Sequence, residues 1–347
     1  MPNRDRRAQR KRKKRAERIR QDKHVAKSSP ASSGPDPMLP LQGMPIDVHH
    51  VPGGASIVAE RARRTFDFFQ RDLPAKNRQE LKELIGTHMI GDAWLEDHHR
   101  MLATSVLEQA QELAFTALQE EDPGAAVKWA NQALTLDPLC CDAQVILATH
   151  GTIDHDTRID IFTRIIDTEF ERLGGETFLA ENSDHFWGIP HTRPLMRAQF
   201  ACALALKAGG EFGVAAEDFN ELISLSPRDI QGARFHYLAC VMAGELFDEL
   251  KTDIIDFRDD HNAAWLWALV LERLLLNDFD GAHLALTNAR RANSLVAAVL
   301  RRPKSKRPPC PPRYERGEAT EAVYIVDVFA CAWDSHPEAS AWLREHA

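Results

Sequence analysis

The sequence predicts an all-α protein, an α-solenoid of stacked helical hairpins that follows a disordered basic N-terminal arm. Three observations predict it. From about residue 59 onward, apolar residues recur at helical spacing, Ala and Leu dominate, and strand-like alternation is absent. A hairpin pattern recurs at a fixed interval. The basic residues are concentrated ahead of an acidic body, and 347 residues exceed what one core usually supports.

The basic arm is the first element. Residues 1–27 contain 13 Lys or Arg and 3 Asp or Glu, a net charge of +10, whereas residues 28–347 carry −18. Such a segment cannot bury enough apolar surface to offset the ordering of its backbone. Residues 28–55, rich in Pro, Ser and Gly, are predicted to be a linker. The centre of the arm is Arg10, Lys11, Arg12, Lys13, Lys14 and Arg15.

This arm predicts contact with a polyanion. Lysine and arginine displace counterions from nucleic acid, so RNA or the ribosome is a candidate partner. No apolar face accompanies the charge, which makes a membrane the weaker candidate. The alternative is a solubilising or self-associating tail that docks on the acidic body.

The repeat predicts the hairpins. Gly244-Glu245-Leu246 follows Gly210-Glu211-Phe212 by 34 residues, the period of the tetratricopeptide repeat, in which helices A and B form one hairpin. Leu136-Asp137-Pro138 and Leu225-Ser226-Pro227 are the same stop signal for a helix B, because proline ends a helix. Generic hairpins with coincidental Ala and Gly spacing are the alternative.

The predicted order of segments follows from these signals. N-terminal helices at 56–104 either continue the solenoid or pack across its end. The tetratricopeptide-like solenoid occupies 105–300 and is interrupted at about 139–190 by an amphipathic helix that Gly174-Gly175 ends. A basic, proline-rich connector at 301–316 then leads to helices at 317–347, which are expected to cap the last apolar face.

A family resemblance rests on three stretches. They are Phe186-Trp187-Gly188-Ile189-Pro190-His191-Thr192-Arg193-Pro194-Leu195-Met196-Arg197-Ala198, then Ala289-Arg290-Arg291-Ala292-Asn293, and Arg316-Gly317-Glu318-Ala319-Thr320-Glu321-Ala322-Val323-Tyr324. Over roughly residues 105–346 the chain resembles bacterial tetratricopeptide-repeat proteins similar to the suppressor-of-tumorigenicity-seven family. His191 and Leu195 stand where that family has Glu and Tyr. The resemblance implies a soluble helical-repeat protein with no assigned chemistry.

The candidate binding residues come from the repeat template. Four positions of helix A line the concave groove of tetratricopeptide proteins, and cations beside apolar side chains there clamp a peptide carboxylate. A solvated charged face is the alternative. For the stretch 187–197 the alternative is a helix start in which Thr192 caps and Pro194 occupies the first turn. The predicted groove residues are Arg193, Arg197, Phe200, Leu204, Lys207, Gln231 and Arg234.

The sequence gives no sign of catalysis. Phosphate-binding glycine loops, G-x-S-x-G and kinase signatures are absent, and the histidine clusters lack metal-ligand spacing, so we expect no enzyme activity, metal or cofactor. Six scattered cysteines without C-x-x-C spacing are typical of small core residues in a reducing, cytoplasmic protein. Trp265 and Trp267 are expected in the core.

These observations predict a non-enzymatic scaffold that binds a protein or peptide in its concave groove. The alternative is an RNA- or ribosome-associated accessory protein that acts through the basic arm. No membrane-spanning segment is expected.

Overall fold

A computed structural model gives the structure of the protein. It describes residues 57, 60, 61, 64, 80, 103, 105–229, 231–246, 262–311 and 313–347, together with the backbone of 48–50, and leaves out the side chains of 183–185. Residues 49–347 form one compact unit. The predicted arm residues 10–15 lie outside the described residues, as do most of those in the predicted 56–104 helices.

The described part of the chain is predominantly helical, which confirms the all-α prediction. The helices of its first half are α1 (Val106–Gln119), α2 (Pro123–Leu136), α3 (Cys141–His150), α4 (His155–Arg172), α5 (Gly175–Asn182), α6 (Arg193–Ala208), α7 (Phe212–Leu225) and α8 (Ala233–Ala243). Two short 3-10 turns, Ser183–Gly188 and Pro190–Thr192, precede α6. Sequence neighbours pack in pairs: α1 on α2, α6 on α7, and α7 on α8.

The second half continues this arrangement. Its helices are α9 (Ala263–Leu275), α10 (Phe279–Ala292), α11 (Val296–Leu300), α12 (Ala319–Ser335) and α13 (Pro337–His346). A two-stranded sheet pairs β1 (Val48–His50) with β2 (Arg313–Glu315), so the predicted connector contains a strand. Tyr314 of β2 stacks on Tyr324 of α12 with ring centroids 4.8 Å apart. In the described part, no helix is long and apolar enough to cross a membrane.

Helix boundaries follow from local chemistry. Ser105 and Glu108 form a capping box at the start of α1, each side chain accepting from the other's backbone N–H. Asp and Asn side chains cap later helices in the same way. The predicted stops are confirmed, because α2 ends at Leu136 and α7 ends at Leu225. The other side-chain caps are Asp122, Asp154, Asn262 and Asp278.

Three helices end in the same left-handed motif. Gly210, Glu245 and Asn277 have φ values of 83°, 55° and 57° after α6, α8 and α9. After each, a backbone N–H bonds to the carbonyl five residues back, at 3.0, 3.0 and 2.9 Å. The motifs stand 35 and then 32 positions apart rather than at the expected 34, so the helix end recurs without a fixed interval.

Small residues bring α1 and α2 close together. Alanines from both helices form a cluster at most 2% exposed, and their small side chains allow close helix approach. Its alanines are Ala110, Ala114, Ala117, Ala126, Ala130 and Ala133. A larger core runs from α3 to α13 and contains Trp265 and Trp267, only 2% and 1% exposed, as predicted.

Candidate functional site: a buried arginine and carboxylate cluster

The start of α6 is fixed differently from the predicted cap. Pro194 occupies its first turn, where the missing N–H is harmless. Thr192 does not cap the helix, because its φ of −88° and ψ of −17° are helical rather than extended. Its hydroxyl instead donates to the carbonyl oxygens of Ile189, at 2.8 Å, and Phe186. Thr192 therefore connects the 3-10 turns to the start of α6 through these hydrogen bonds.

Arg197 on α6 lies at the centre of the cluster. Its Nε and Nη2 donate to Asp142 Oδ1 and Oδ2 of α3 at 2.8 and 2.6 Å, and its Nη1 donates to Glu60 Oε2 at 2.8 Å. The side chain is only 5% exposed. Burial disfavours the charged guanidinium, but the carboxylates of Asp142 and Glu60 outweigh burial and raise the pKa of Arg197.

Arg193, one turn earlier, faces the same glutamate. Its Nη1 lies 3.6 Å from Glu60 Oε2, and its Nε donates to the Trp187 carbonyl oxygen at 3.0 Å. The guanidinium also lies over the Trp187 ring, 5.2 Å from its centroid. Both arginines of the predicted groove therefore converge on one buried carboxylate.

Glu60 belongs to a short piece of helix that we name the Glu60 segment, comprising Ile57, Glu60, Arg61 and Arg64. Their spacing of three, one and three residues places all four on one helix face. Ile57 and Glu60 are 1% exposed and Arg61 is 5% exposed. Arg64 lies over the Phe115 ring of α1, 5.2 Å from its centroid. This face is thus packed against α1 and α6.

Arg61 connects the Glu60 segment to α1. Its Nε donates to Glu112 Oε2 at 3.1 Å and its Nη1 to Gln119 Oε1 at 2.7 Å. The second oxygen of Glu112, Oε1, is buried without a hydrogen-bond partner. Burial raises the pKa of Glu112, and Arg61 and Arg64 oppose the shift. Gln111 on the same helix donates to Asp142 Oδ2 at 2.6 Å.

The cluster contains as many cations as carboxylates. Three guanidinium groups face three carboxylates, and all six residues are at most 8% exposed. Charges buried this deeply require partners, since an unpaired one would be strongly destabilising. The arrangement binds the Glu60 segment to α1 and α6, and α6 to α3, through charge. The six residues are Glu60, Arg61, Glu112, Asp142, Arg193 and Arg197.

The other predicted groove residues also contact the chain itself. Phe200 is 4% exposed and packs edge-on against the rings of Phe219 and His236. Lys207 Nζ donates to the Val328 carbonyl oxygen of α12 at 2.5 Å and lies 3.1 Å from His236 Nδ1. α12 also packs on α8 and α9. The face predicted as an open groove is therefore covered by the Glu60 segment and by α12.

The last three predicted groove residues lie in different surroundings. Gln231 is 3% exposed, with its Nε2 3.4 Å from the Met196 carbonyl oxygen. Arg234 is half-buried and pairs with Asp229 at 3.6 Å. Leu204 is exposed. The seven residues thus do not form one accessible surface.

Sequence reasoning missed the acidic half of the cluster. Asp142 shares a helix face with the buried Val145 and Ile146, three and four residues further on, whereas Glu112 lies on a face with Glu108 and Gln119 and gives no such signal. An isolated carboxylate on a core-facing stripe indicates a buried ion pair, because an unpaired one would be too unfavourable. The sequence alone therefore indicated a buried ion pair at Asp142, but not which residue pairs with it.

Metal-binding and thiol groups add no second centre. Within the described residues, no three His, Cys, Asp or Glu side chains are arranged to hold a metal ion. All six cysteines are free thiols. Burial raises the pKa of Cys140, Cys240 and Cys310 to about 12, which suppresses the nucleophilic thiolate.

The chain matches no family model, no curated protein and no solved structure.

Proposed function

We propose that this protein is a non-enzymatic scaffold of tetratricopeptide-like hairpins that binds a protein partner through a carboxylate-bearing helix. The binding face comprises α1, α3 and α6, with Arg193 and Arg197 at its centre. The Glu60 segment occupies that face as an intramolecular ligand, and a partner helix competes with it.

One observation carries the proposal. Glu60 reaches Arg197 across 137 residues of sequence, and its Oε2 accepts from Arg197 at 2.8 Å while Arg193 lies at 3.6 Å. Two arginines four residues apart on a helix form a fork that suits a carboxylate. A helix presenting a glutamate in this register is therefore the ligand that the face fits.

The helix order supports a solenoid interpretation. α1, α3, α6, α8 and α9 are the candidate A helices, and the first three contact one another in succession. α6, α8 and α9 share the left-handed end motif. In a tetratricopeptide solenoid the A helices line the concave face, which is where the repeat template placed Arg197.

The test measures competition between the Glu60 segment and a peptide added in trans. A fluorescent peptide of residues 52–68 is titrated into the full chain and into the Ile57→Ala, Glu60→Ala double variant. We expect tight binding by the double variant alone, and roughly tenfold weaker binding of a peptide carrying Glu60→Gln. Circular dichroism checks that the double variant is folded. Equal peptide binding by both proteins, or by neither, would count against the proposal.

The basic arm supports a second candidate, RNA or ribosome association. The observation is 13 Lys or Arg within residues 1–27 of an otherwise acidic chain. Arm binding predicts an RNA affinity that falls steeply with salt and is lost when residues 1–27 are deleted. A filter-binding titration at several salt concentrations measures both effects. A flat salt dependence would remove this candidate.

A further inference from the structure

A cationic cavity lies between the 300–307 stretch and α13, away from the arginine and carboxylate cluster. Its volume is about 350 Å³, within the range of small-ligand sites. Leu300, Trp333 and Leu343 close its base but are at most 9% exposed, so the accessible lining is mainly polar. Five cationic residues line the cavity: Arg301, Arg302, Lys304, Arg307 and Arg344.

The charges of this cavity are not balanced. Asp334 is the one carboxylate among the lining residues, and Arg307 holds it through two hydrogen bonds, 3.0 Å from Nη1 to Oδ2 and 2.8 Å from Nη2 to Oδ1. Arg301 donates to the Ala347 carbonyl oxygen at 2.7 Å. The exposed side chains of Arg302, Lys304 and Arg344 form no ion pair with any described residue. The cavity therefore has a surplus of positive charge.

This surplus stands out because residues 28–347 carry a net charge of −18. Cations held close together in a cavity create a local positive potential that attracts an anion. The backbone here is fixed rather than loose: Pro303 precedes the 3-10 turn Lys304–Lys306, and Arg307 donates to the Arg302 and Leu300 carbonyl oxygens. Contacts within the chain thus hold the backbone that carries Arg302 and Lys304.

We propose that this cavity binds a small molecule that carries two or more phosphate groups, such as a nucleoside diphosphate. A guanidinium group can donate two parallel hydrogen bonds to two oxygens of one phosphate group. Arg302, Lys304 and Arg344 hold the phosphates at the rim.

The experiment uses the full chain, inorganic pyrophosphate and ADP as probes, and calorimetry at about 150 mM salt, where exposed charges are screened. The test variant is Arg302→Gln, Lys304→Gln, Arg344→Gln. The matched control, Lys128→Gln, Arg290→Gln, Arg291→Gln, removes three exposed cations elsewhere. The basic arm is present in all three proteins, so its contribution cancels.

We expect saturable binding by the wild type and the control, and a loss of at least about tenfold in affinity for the test variant. Hydrogen exchange should slow in residues 300–307 and in α13 when pyrophosphate is added. Equal losses in both variants, or no saturable binding at about 1 mM probe, would overturn the proposal. Binding of RNA but not of either probe, lost in the test variant, would overturn it in favour of a nucleic-acid surface.

Discussion

The guanidinium of Arg197 on α6 and the carboxylate of Asp142 on α3 are joined by two parallel hydrogen bonds, of 2.8 and 2.6 Å. Their side chains are 5% and 1% exposed. The same guanidinium holds Glu60, so one residue connects α3, α6 and the Glu60 segment. The geometry is the planar fork that arginine forms with carboxylates and that lysine cannot reproduce.

Replacing Arg197 is expected to be strongly destabilising. Arg197→Met leaves the carboxylates of Asp142 and Glu60 buried, with Arg193 only 3.6 Å from Glu60 and no guanidinium at Asp142. Removing one partner of a buried ion pair typically lowers the free energy of unfolding by about 3–5 kcal/mol. Urea unfolding measures the change. Arg290→Met, at an exposed position of α10, is the control and should change stability by less than about 0.5 kcal/mol.

A charge-balanced variant separates unpaired charge from lost packing. Arg197→Met combined with Asp142→Asn removes one cation and one carboxylate, and Glu60 keeps Arg193 at 3.6 Å. We expect this double variant to be more stable than Arg197→Met alone, because the carboxylate that would be left buried without a guanidinium is also removed. If both are equally unstable, the loss comes from packing around the Arg197 side chain.

Local signals in the sequence were sufficient to predict where helices begin and end. Ser105 with Glu108 marks the start of α1, and the proline after Asp137 marks the end of α2, because caps and stops act within four residues. The predominantly helical fold follows from many such local choices. The interval between the left-handed helix ends was not predictable, since each hairpin adjusts its own length to its packing.

The candidate site depends on contacts that local patterns do not contain. The repeat template predicted that Arg197 lies on the concave face. Its partners Glu60 and Asp142 are 137 and 55 residues away in the sequence, so no local pattern around Arg197 predicts them. Covering of that face by the chain itself is a tertiary event. Lys207 shows the same limit, because its acceptor Val328 lies 121 residues further on.

Glu169 is expected to make the protein less stable as the pH rises. Burial raises the pKa of this carboxyl from 4.5 to about 7, with Arg172 opposing the shift. The folded state keeps its proton between pH 4.5 and 7 while the unfolded state loses it, so the free energy of unfolding falls across that window. Glu169→Gln stays neutral and should be more stable than the wild type at pH 8 by about 1–3 kcal/mol.

Urea unfolding at pH 5, 6, 7 and 8 measures this difference. The gap between Glu169→Gln and the wild type should be smallest at pH 5 and grow until about pH 7. Glu171→Gln, at an exposed position of the same helix, is the control and should show no such growth. A constant gap would mean that Glu169 is ionised throughout.

The cysteine thiols are expected to react slowly in the folded protein. Burial raises the pKa of Cys310 to about 12, and the carboxylate of Asp327 adds to the shift, although the residue is only half-buried. A thiol with that pKa has a thiolate fraction about a thousandfold below that of an ordinary cysteine at pH 8. Labelling with a thiol-specific disulfide reagent, with and without urea, measures the rates. Fast labelling that disappears in Cys310→Ser would contradict the expectation.

His236 is expected to act in the opposite direction to Glu169, destabilising the protein in acid. Burial lowers its pKa well below 6.5, and the neighbouring Lys207 ammonium lowers it further. The ring stacks on Phe219 at 5.2 Å, and Lys207 Nζ lies 3.1 Å from Nδ1, so the neutral ring accepts a hydrogen bond there. Below pH 6.5 His236 is protonated in the unfolded state but stays neutral in the folded state. The free energy of unfolding therefore decreases as the pH is lowered.

The variant His236→Phe keeps an aromatic ring against Phe219 but does not titrate. At pH 7.5 it should be less stable than the wild type by about 1 kcal/mol, because Lys207 loses one acceptor. The wild type then loses up to about 1.4 kcal/mol for each pH unit below 6.5, and the variant lacks that dependence. The two stability curves, measured by urea unfolding, should therefore cross between pH 6.5 and 5. Parallel curves over this range would show that the folded protein accommodates a charged ring at position 236.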